Sequence, residues 1–338
     1  MAGVFFVQEV SAMDSRITTN DPATMTSQGI VYRKNKGQYE VHANGRMVTC
    51  TLSARLWKEL NRGKSASHDP IAVGDAVHFT HSAVGNGSIT ALLPRQTKFS
   101  RQSAVSMPSA YAAEQVIVAN IDQVVPVFAA ANPAPRWNML DRYLVTAESL
   151  DLPALILITK IDLARDASGA LEREADENIE EYRRLGYPVL TFSAVTGEGL
   201  EEARQALRGR TSVLLGKSGV GKTTLLNAIQ PGLGLRVGEI SRATGKGKHT
   251  TTALEMFPLD FGGAIVDTPG VREFGLWDVD EDDLALFFPE MRPLVGKCRF
   301  GLDCQHDEEP GCAIRKAVVG GQISPRRYQS YLRIKQGD

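Results

Sequence analysis

The stretch Thr211-Ser-Val-Leu-Leu-Gly216-Lys217-Ser218-Gly219-Val220-Gly221-Lys222-Thr223-Thr224 decides the fold. An apolar, β-prone run ends at Gly216, the pattern Gly-x4-Gly-Lys-Thr follows without a gap, and a helix starts at Lys222. Glycines at these positions let the backbone curl so that N–H groups from Gly216 to Gly221 point inward at phosphate oxygens, and the helix N-terminus adds positive potential. Lys222 would reach the β- and γ-phosphates, the Thr223 hydroxyl would bind Mg²⁺, and Thr224 closes the set. A glycine-rich strand–helix turn without a ligand is the bland alternative, but every fixed position is satisfied in the required context.

Working outward, apolar strands at Val124–Ala130, Ala154–Thr159, Val189–Ser193, Thr211–Leu215 and Ala264–Asp267 alternate with helical segments. That alternation predicts a mostly parallel sheet with helices on both faces. Chemistry-bearing residues sit at the strand ends. Asp267-Thr-Pro-Gly270 places a carboxylate for Mg²⁺ and a backbone N–H for the γ-phosphate. Thr159-Lys160-Ile161-Asp162 offers a carboxylate that can accept the N1–H and N2 hydrogens of guanine, with the Lys160 stem over the base. Adenine would leave that carboxylate unpaired. Ser193-Ala194 could present the Ala194 N–H to guanine O6. GTP is therefore the expected nucleotide.

The base-reading motifs precede the phosphate loop, so a circularly permuted GTPase domain is expected. The rival is a phosphate-loop domain beginning at Thr211 with a chance Thr-Lys-x-Asp upstream, and the place of Asp162 relative to Lys222 separates the two. Between Thr224 and Asp267 lies Arg242–Thr252, polar and glycine-rich, which reads as a mobile loop in which Thr250 or Thr251 joins the Mg²⁺ shell. Val271 stands where many GTPases place a water-orienting Gln, so intrinsic hydrolysis should be slow unless another group, such as His249, is brought in. On sequence alone an exposed loop histidine is the favoured reading of His249.

Cys298-x5-Cys304-x-His306-x5-Cys312 gathers three of the four cysteines and one of the six histidines. Three thiolates and an imidazole make a closed, structural zinc site; buried free thiols are the alternative. Cys50 reads as a small buried hydrophobe.

The chain has 338 residues, enough for two or three domains, and a net charge of −1 that hides segregation. Between Gln28 and Val105 eleven basic residues face four acids; from Arg315 onward six face one; Glu273–Glu290 has seven acids and no Lys or Arg. Two basic regions around an acidic middle fit a polyanion partner. Short alternating runs (Ile30–Tyr32, Gln38–His42, Met47–Leu52, Ala76–His81, Ser88–Leu92) predict a five-stranded barrel of OB or SH3-like type. The expected organisation is a flexible extension over 1–27, an OB-like RNA-binding barrel over 28–110, a permuted GTPase domain over 111–290, and a zinc-binding helical domain with a basic tail over 291–338. Four cysteines are too few for a secreted disulfide scaffold, no apolar run approaches a membrane span, and no signal peptide is seen, so a cytoplasmic protein is expected.

Together these features resemble the ribosome small-subunit-dependent GTPase A family (RsgA, also called YjeQ). The resemblance runs from about Gly29 to Arg333 and includes Leu93-Pro-Arg95, Asn120-Ile-Asp122, Thr159–Asp162, Gly216–Thr224, Lys248-His249-Thr-Thr, Asp267–Gly275 and the Cys/His cluster. It implies GTP hydrolysis to GDP and phosphate, stimulated by the 30S subunit late in its maturation, with 16S rRNA contacts from the barrel and the zinc domain. It also implies a water-positioning role for His249. The alternative is an RNA-binding assembly module in which guanine nucleotide is only a ligand; a third reading is an ATPase. A monomer is expected.

Overall fold

The computed structural model of the protein describes residues 26–35, 37–61, 69–81, 86–102, 114–233, 254–267 and 279–337, and at residues 101, 102, 114 and 267 it describes the backbone only. Five strands come first: β1 (Thr26–Asn35), β2 (Gln38–Ala43), β3 (Arg46–Leu52), β4 (Ala76–His81) and β5 (Gly87–Leu92). Their order is 1-2-3-5-4, closed by β1 pairing with β4, and β3 runs parallel to β5. A short helix α1 (Ala54–Leu60), capped by the Ser53 hydroxyl on the Leu56 N–H, lies between β3 and β4. This is the OB arrangement, which decides between the two barrels that the alternation allowed. Alternate residues of β2 point inward, and Val31, Tyr39, Val41, Cys50, Val77, Phe79 and Ile89 fill the interior.

The second unit holds β6 (Lys98–Gln102), β7 (Glu114–Ala119), β8 (Gln123–Ala129), α2 (Trp137–Ser149), β9 (Ile156–Thr159), α3 (Arg173–Arg184), β10 (Val189–Phe192), α4 (Leu200–Leu207), β11 (Thr211–Leu215), α5 (Lys222–Ile229), β12 (Glu255–Pro258) and β13 (Ala264–Asp267). Its sheet has the order β10-β9-β8-β11-β13-β12, parallel except for β12. Every residue of β8 is buried, as a central strand covered on both faces requires. Its alternate side chains divide between two cores: Val124 and Phe128 pack with α2 and α3, while Val125 and Val127 pack with α4 and α5. The strand carrying the phosphate loop, β11, sits mid-sheet beside β8 and β13, so strands that precede it in the chain complete one flank. That is the permuted topology.

Two joints tie the barrel to this sheet. Asp75, fully buried, takes both nitrogens of the Arg95 fork (2.7 and 2.8 Å) and the Ala72 N–H. Asn120 accepts from the Gln96 N–H and donates to the Gly74 carbonyl, both at 2.9 Å. These contacts give Leu93-Pro-Arg95 and Asn120-Ile-Asp122 a structural task. The second joint is a single register pair, Arg33 with Glu255, between β1 and β12; their side chains form an ion pair as well.

The last unit has α6 (Ala313–Val319) and α7 (Pro325–Lys335) around a core of Cys298, Cys304, Cys312, Ile314, Ile323 and Tyr331. That core also contains Leu284, Ala285, Phe288 and Met291 together with Val145 from α2.

Packing therefore crosses three of the expected boundaries. Thr26 and Ser27 already pair with Thr80 and Phe79; their polar ends gave no strand signal. Phe99 and Val118, on the β6–β7 hairpin that spans position 110, pack into the α/β core. Leu284–Phe288 belongs with the C-terminal core although its acidic lead-in resembles a solvated linker. The rest of the expected extension, residues 1–25, lies outside the described residues.

Candidate functional site

The phosphate loop and the Thr159–Asp162 turn meet directly. Gly221, the N-cap of α5, has φ +95°, and a Cβ there would lie 3.3 Å from the Thr159 hydroxyl. That hydroxyl is hydrogen-bonded to the Val220 carbonyl and lies 3.2 Å from the Phe128 carbonyl, linking the ends of β8 and β9 to the loop. Lys160, left-handed at φ 55°, donates from Nζ to the Gly219 carbonyl (2.8 Å) and to the Asn132 carbonyl. Lys222 donates to the carbonyls of Gly216 (2.6 Å) and Lys217 (3.0 Å). Two ammonium groups thus converge on one loop of neutral carbonyls, a cradle matched to an anion.

Beside it, Ser193 is fully buried; its hydroxyl donates to Asp162 Oδ1 at 2.5 Å and accepts from the N–H groups of Val195 and Thr196, each 3.2 Å away. Asp162 is half-buried and Ala194 exposed, so both can face a ligand. Ile161 and Val220 are buried in the cores and offer only backbone, while Thr223 is buried at the start of α5. Ser218 and Thr224 lie on the loop and its helix. Asp162 and Lys222 thus belong to one site, which excludes the chance-motif rival. His249, Thr250, Thr251 and Gly270 lie outside the described residues, as does the Asp267 side chain; the Asp267 backbone pairs with Leu214 of β11.

The Cys298, Cys304, His306 and Cys312 side chains are all buried, and their ligand atoms lie within 4.8 Å of one another. Cys298 Sγ is 3.9 Å from Cys312 Sγ and 3.4 Å from His306 Nδ1; Cys312 Sγ is 3.6 Å from His306 Nδ1. A tetrahedron with Zn–S of about 2.3 Å has S–S edges of about 3.8 Å, which the Cys298–Cys312 pair matches, so the donor set suits one zinc ion. Burial pushes the Cys304 thiol up to about 12 and holds His306 below its ordinary value. A dication bound here would favour the thiolate form of these cysteines.

The RsgA GTPase family profile matches residues 92–277. The small ribosomal subunit biogenesis GTPase RsgA of Gemmatimonas aurantiaca is 42% identical over 316 residues, 92% of this chain and 97% of that one. The chain belongs to the RsgA GTPase family. The RsgA of Pseudomonas aeruginosa is 42% identical over 298 residues, 88% of this chain and 81% of that one. Among solved structures, YjeQ from Thermotoga maritima superposes with a TM-score of 0.72 at 31% identity, covering 93% of this chain and 98% of that one. YloQ, described as a circularly permuted GTPase, gives 0.68 at 27% identity, with 95% and 97% covered. As a member of the RsgA family the chain is a GTP-hydrolysing enzyme, and its barrel, permuted α/β domain and Cys3His cluster are the fold expected of it.

Two groups of polar side chains in this RsgA-family chain escaped the sequence reading. Arg165 meets Glu198 through both carboxylate oxygens at 2.8 Å, joining the Asp162 turn to the Ser193 turn. Along α2, the fully buried Asp141 binds Arg327 (2.6 Å), Arg326 (3.2 Å) and the Tyr182 hydroxyl (2.6 Å), while Arg327 also holds Glu290 and Arg326 holds Glu181. Burial alone would lower the Arg327 pKa, but Asp141 and Glu290 raise it well above its ordinary value. Two of the six basic residues assigned to the tail thus serve internal pairs. No helix among the described residues is long and apolar enough to cross a membrane.

Proposed function

We propose that this GTPase assists late maturation of the small (30S) ribosomal subunit, with GTP held at the Lys222 loop and turnover stimulated by the subunit. The observation that carries the nucleotide reading is the meeting of Thr159 and Lys160 with Val220 and Gly219, beside the Ser193–Asp162 pair. Lys222 and the loop N–H groups hold phosphate. Asp162 and the Ala194 N–H read the purine edge, and adenine would leave the carboxylate unpaired. Bound Mg²⁺, held by Thr223 and Asp267 with Thr250 or Thr251, would neutralise phosphate charge. Gly270 senses the γ-phosphate. His249 orients the attacking water, a task the apolar Val271 cannot perform. Zinc is structural, held by Cys298, Cys304, His306 and Cys312. The barrel and C-terminal unit contact 16S rRNA, the protein works as a monomer, and its compartment is the cytoplasm, where that partner is assembled. The names of its relatives support the ribosomal assignment, and the basic excess of the barrel supports an RNA partner.

The test is GTP turnover with and without purified 30S subunits, in wild type and His249→Ala. Low turnover alone, raised steeply by 30S and lost in His249→Ala with GDP binding retained, is expected. Turnover indifferent to 30S would sink the ribosomal reading, and full stimulation of His249→Ala would remove the histidine from it.

A further inference from the structure

Reading guanine takes two loops at once. The Asp162 carboxylate comes from the turn after β9, and the Ala194 N–H from the turn after β10, yet both must meet neighbouring atoms of one purine edge. A relative slip of about an ångström would spoil both contacts. The Ser193–Asp162 hydrogen bond links these turns, but it uses one of the carboxylate oxygens that the base needs.

Arg165 and Glu198 supply a second link just outside. Arg165 follows the turn Ile161–Ala164 that carries Asp162, and one of its nitrogens lies 2.8 Å from each Glu198 carboxylate oxygen, while another donates to the Gly169 carbonyl at 2.7 Å. Glu198 closes the other turn: its carbonyl accepts the Ser193 N–H (3.0 Å) and its N–H reaches the Thr196 hydroxyl (3.3 Å). The next residue, Gly199, has φ +74°, and a Cβ there would fall 1.9 Å from the Thr191 carbonyl, so this turn is pressed onto β10 and has little freedom of its own. Fixing Glu198 to Arg165 therefore fixes the Ser193–Ala194 backbone relative to Asp162. The Arg165 and Glu198 side chains are 33% and 38% exposed, so as an isolated ion pair they would contribute little to stability. Their placement, with one end on each base-reading turn, is what gives them an effect.

We infer that Arg165 and Glu198 form a positioning pair that sets the distance between the Asp162 carboxylate and the Ala194 N–H, and so the discrimination of guanine from other purines. The inference rests on the base-reading role proposed for Asp162. The pair touches neither phosphate nor base and acts through the two turns. Arginine suits the place because its fork engages carboxylate and backbone carbonyl together, which an ammonium does less rigidly.

Calorimetric affinities of the full chain for GDP and IDP test it, because IDP lacks only the C2 amine that Asp162 would accept from. Arg165→Ala and Glu198→Gln should lower GDP affinity by about fivefold and IDP affinity by less than about twofold, the size of a well-placed exposed pair. The double swap Arg165→Glu/Glu198→Arg should restore most of the GDP preference. Asp162→Asn serves as the reference and should abolish the preference. If Asp162→Asn abolishes it while both single variants keep the wild-type GDP/IDP ratio, or lower both affinities equally, the positioning role is overturned and the base reading stands. If Asp162→Asn keeps the ratio, the base reading falls and the pair with it.

Discussion

At the Gly216–Lys222 loop, Lys160 and Lys222 rest on the neutral carbonyls of Gly219, Gly216 and Lys217, and the side chains involved are partly open to solvent. Along α2, Asp141 and Glu290 meet Arg327 with 0, 7 and 1% of their side chains exposed. One region sets two lysine ammonium groups on backbone carbonyls of a half-open loop. The other has matched its charges and expelled water. The difference separates a half-open loop, where charged side chains rest on neutral backbone, from a buried joint between α2 and α7, where they rest on one another.

Stripping zinc, the structural metal proposed for the Cys298–Cys312 cluster, should give the largest effect. Structural zinc contributes on the order of 10 kcal/mol in small domains. A chelator should collapse the near-ultraviolet signal of Tyr328 and Tyr331 while GDP binding persists; loss of GDP binding in step would break the separation of the two regions. Next comes Arg327→Ala, which strands Glu290 and leaves Asp141 with Arg326 and the Tyr182 hydroxyl alone. It should cost about 3–5 kcal/mol in urea unfolding, and a double Glu290→Gln/Arg327→Met variant, which leaves Asp141 on Arg326 and Tyr182, should recover part of it. Thr159→Val should cost less, about 1–2 kcal/mol, by leaving the Val220 carbonyl unmatched, and should weaken GDP binding. If it costs as much as Arg327→Ala, the contrast between open site and finished joint fails. The smallest effect lies in the barrel. Burial lifts the Cys50 thiol from 9.0 to about 11, so the fold favours its protonated form. That contribution is full below the unfolded value of 9.0 and fades as pH rises through about 11. Thiol labelling at pH 8.5 should therefore reach Cys50 only on unfolding.

The parts of the molecule that chemistry constrains locally were legible in the sequence. Gly216–Thr223 has to follow a strand and open a helix, the alternation of Gln38–His42 has to bury one face, and Cys298–Cys312 clusters within fifteen residues. What was hidden depends on partners far apart in the chain. Arg327 reads as one more charge in a basic tail, and only the fold brings it to Asp141, 186 residues away. Glu198 is one polar residue in a turn until the parallel pairing of β9 and β10 sets it against Arg165. Leu284–Phe288 follows a run of acids, and its burial comes from Val145 on α2, which no local pattern announces. The β6–β7 hairpin and β12 are short, and neighbours supply most of their stabilisation.

The pairing of Arg33 with Glu255 makes eleven strands a single hydrogen-bonded surface. A fragment engineered to start after the barrel would lose that one pairing and leave the Glu255 end of β12 as an open sheet edge. The same single pair makes the barrel part of the sheet's hydrogen-bonded frame, so a cut there ends the frame at Glu255.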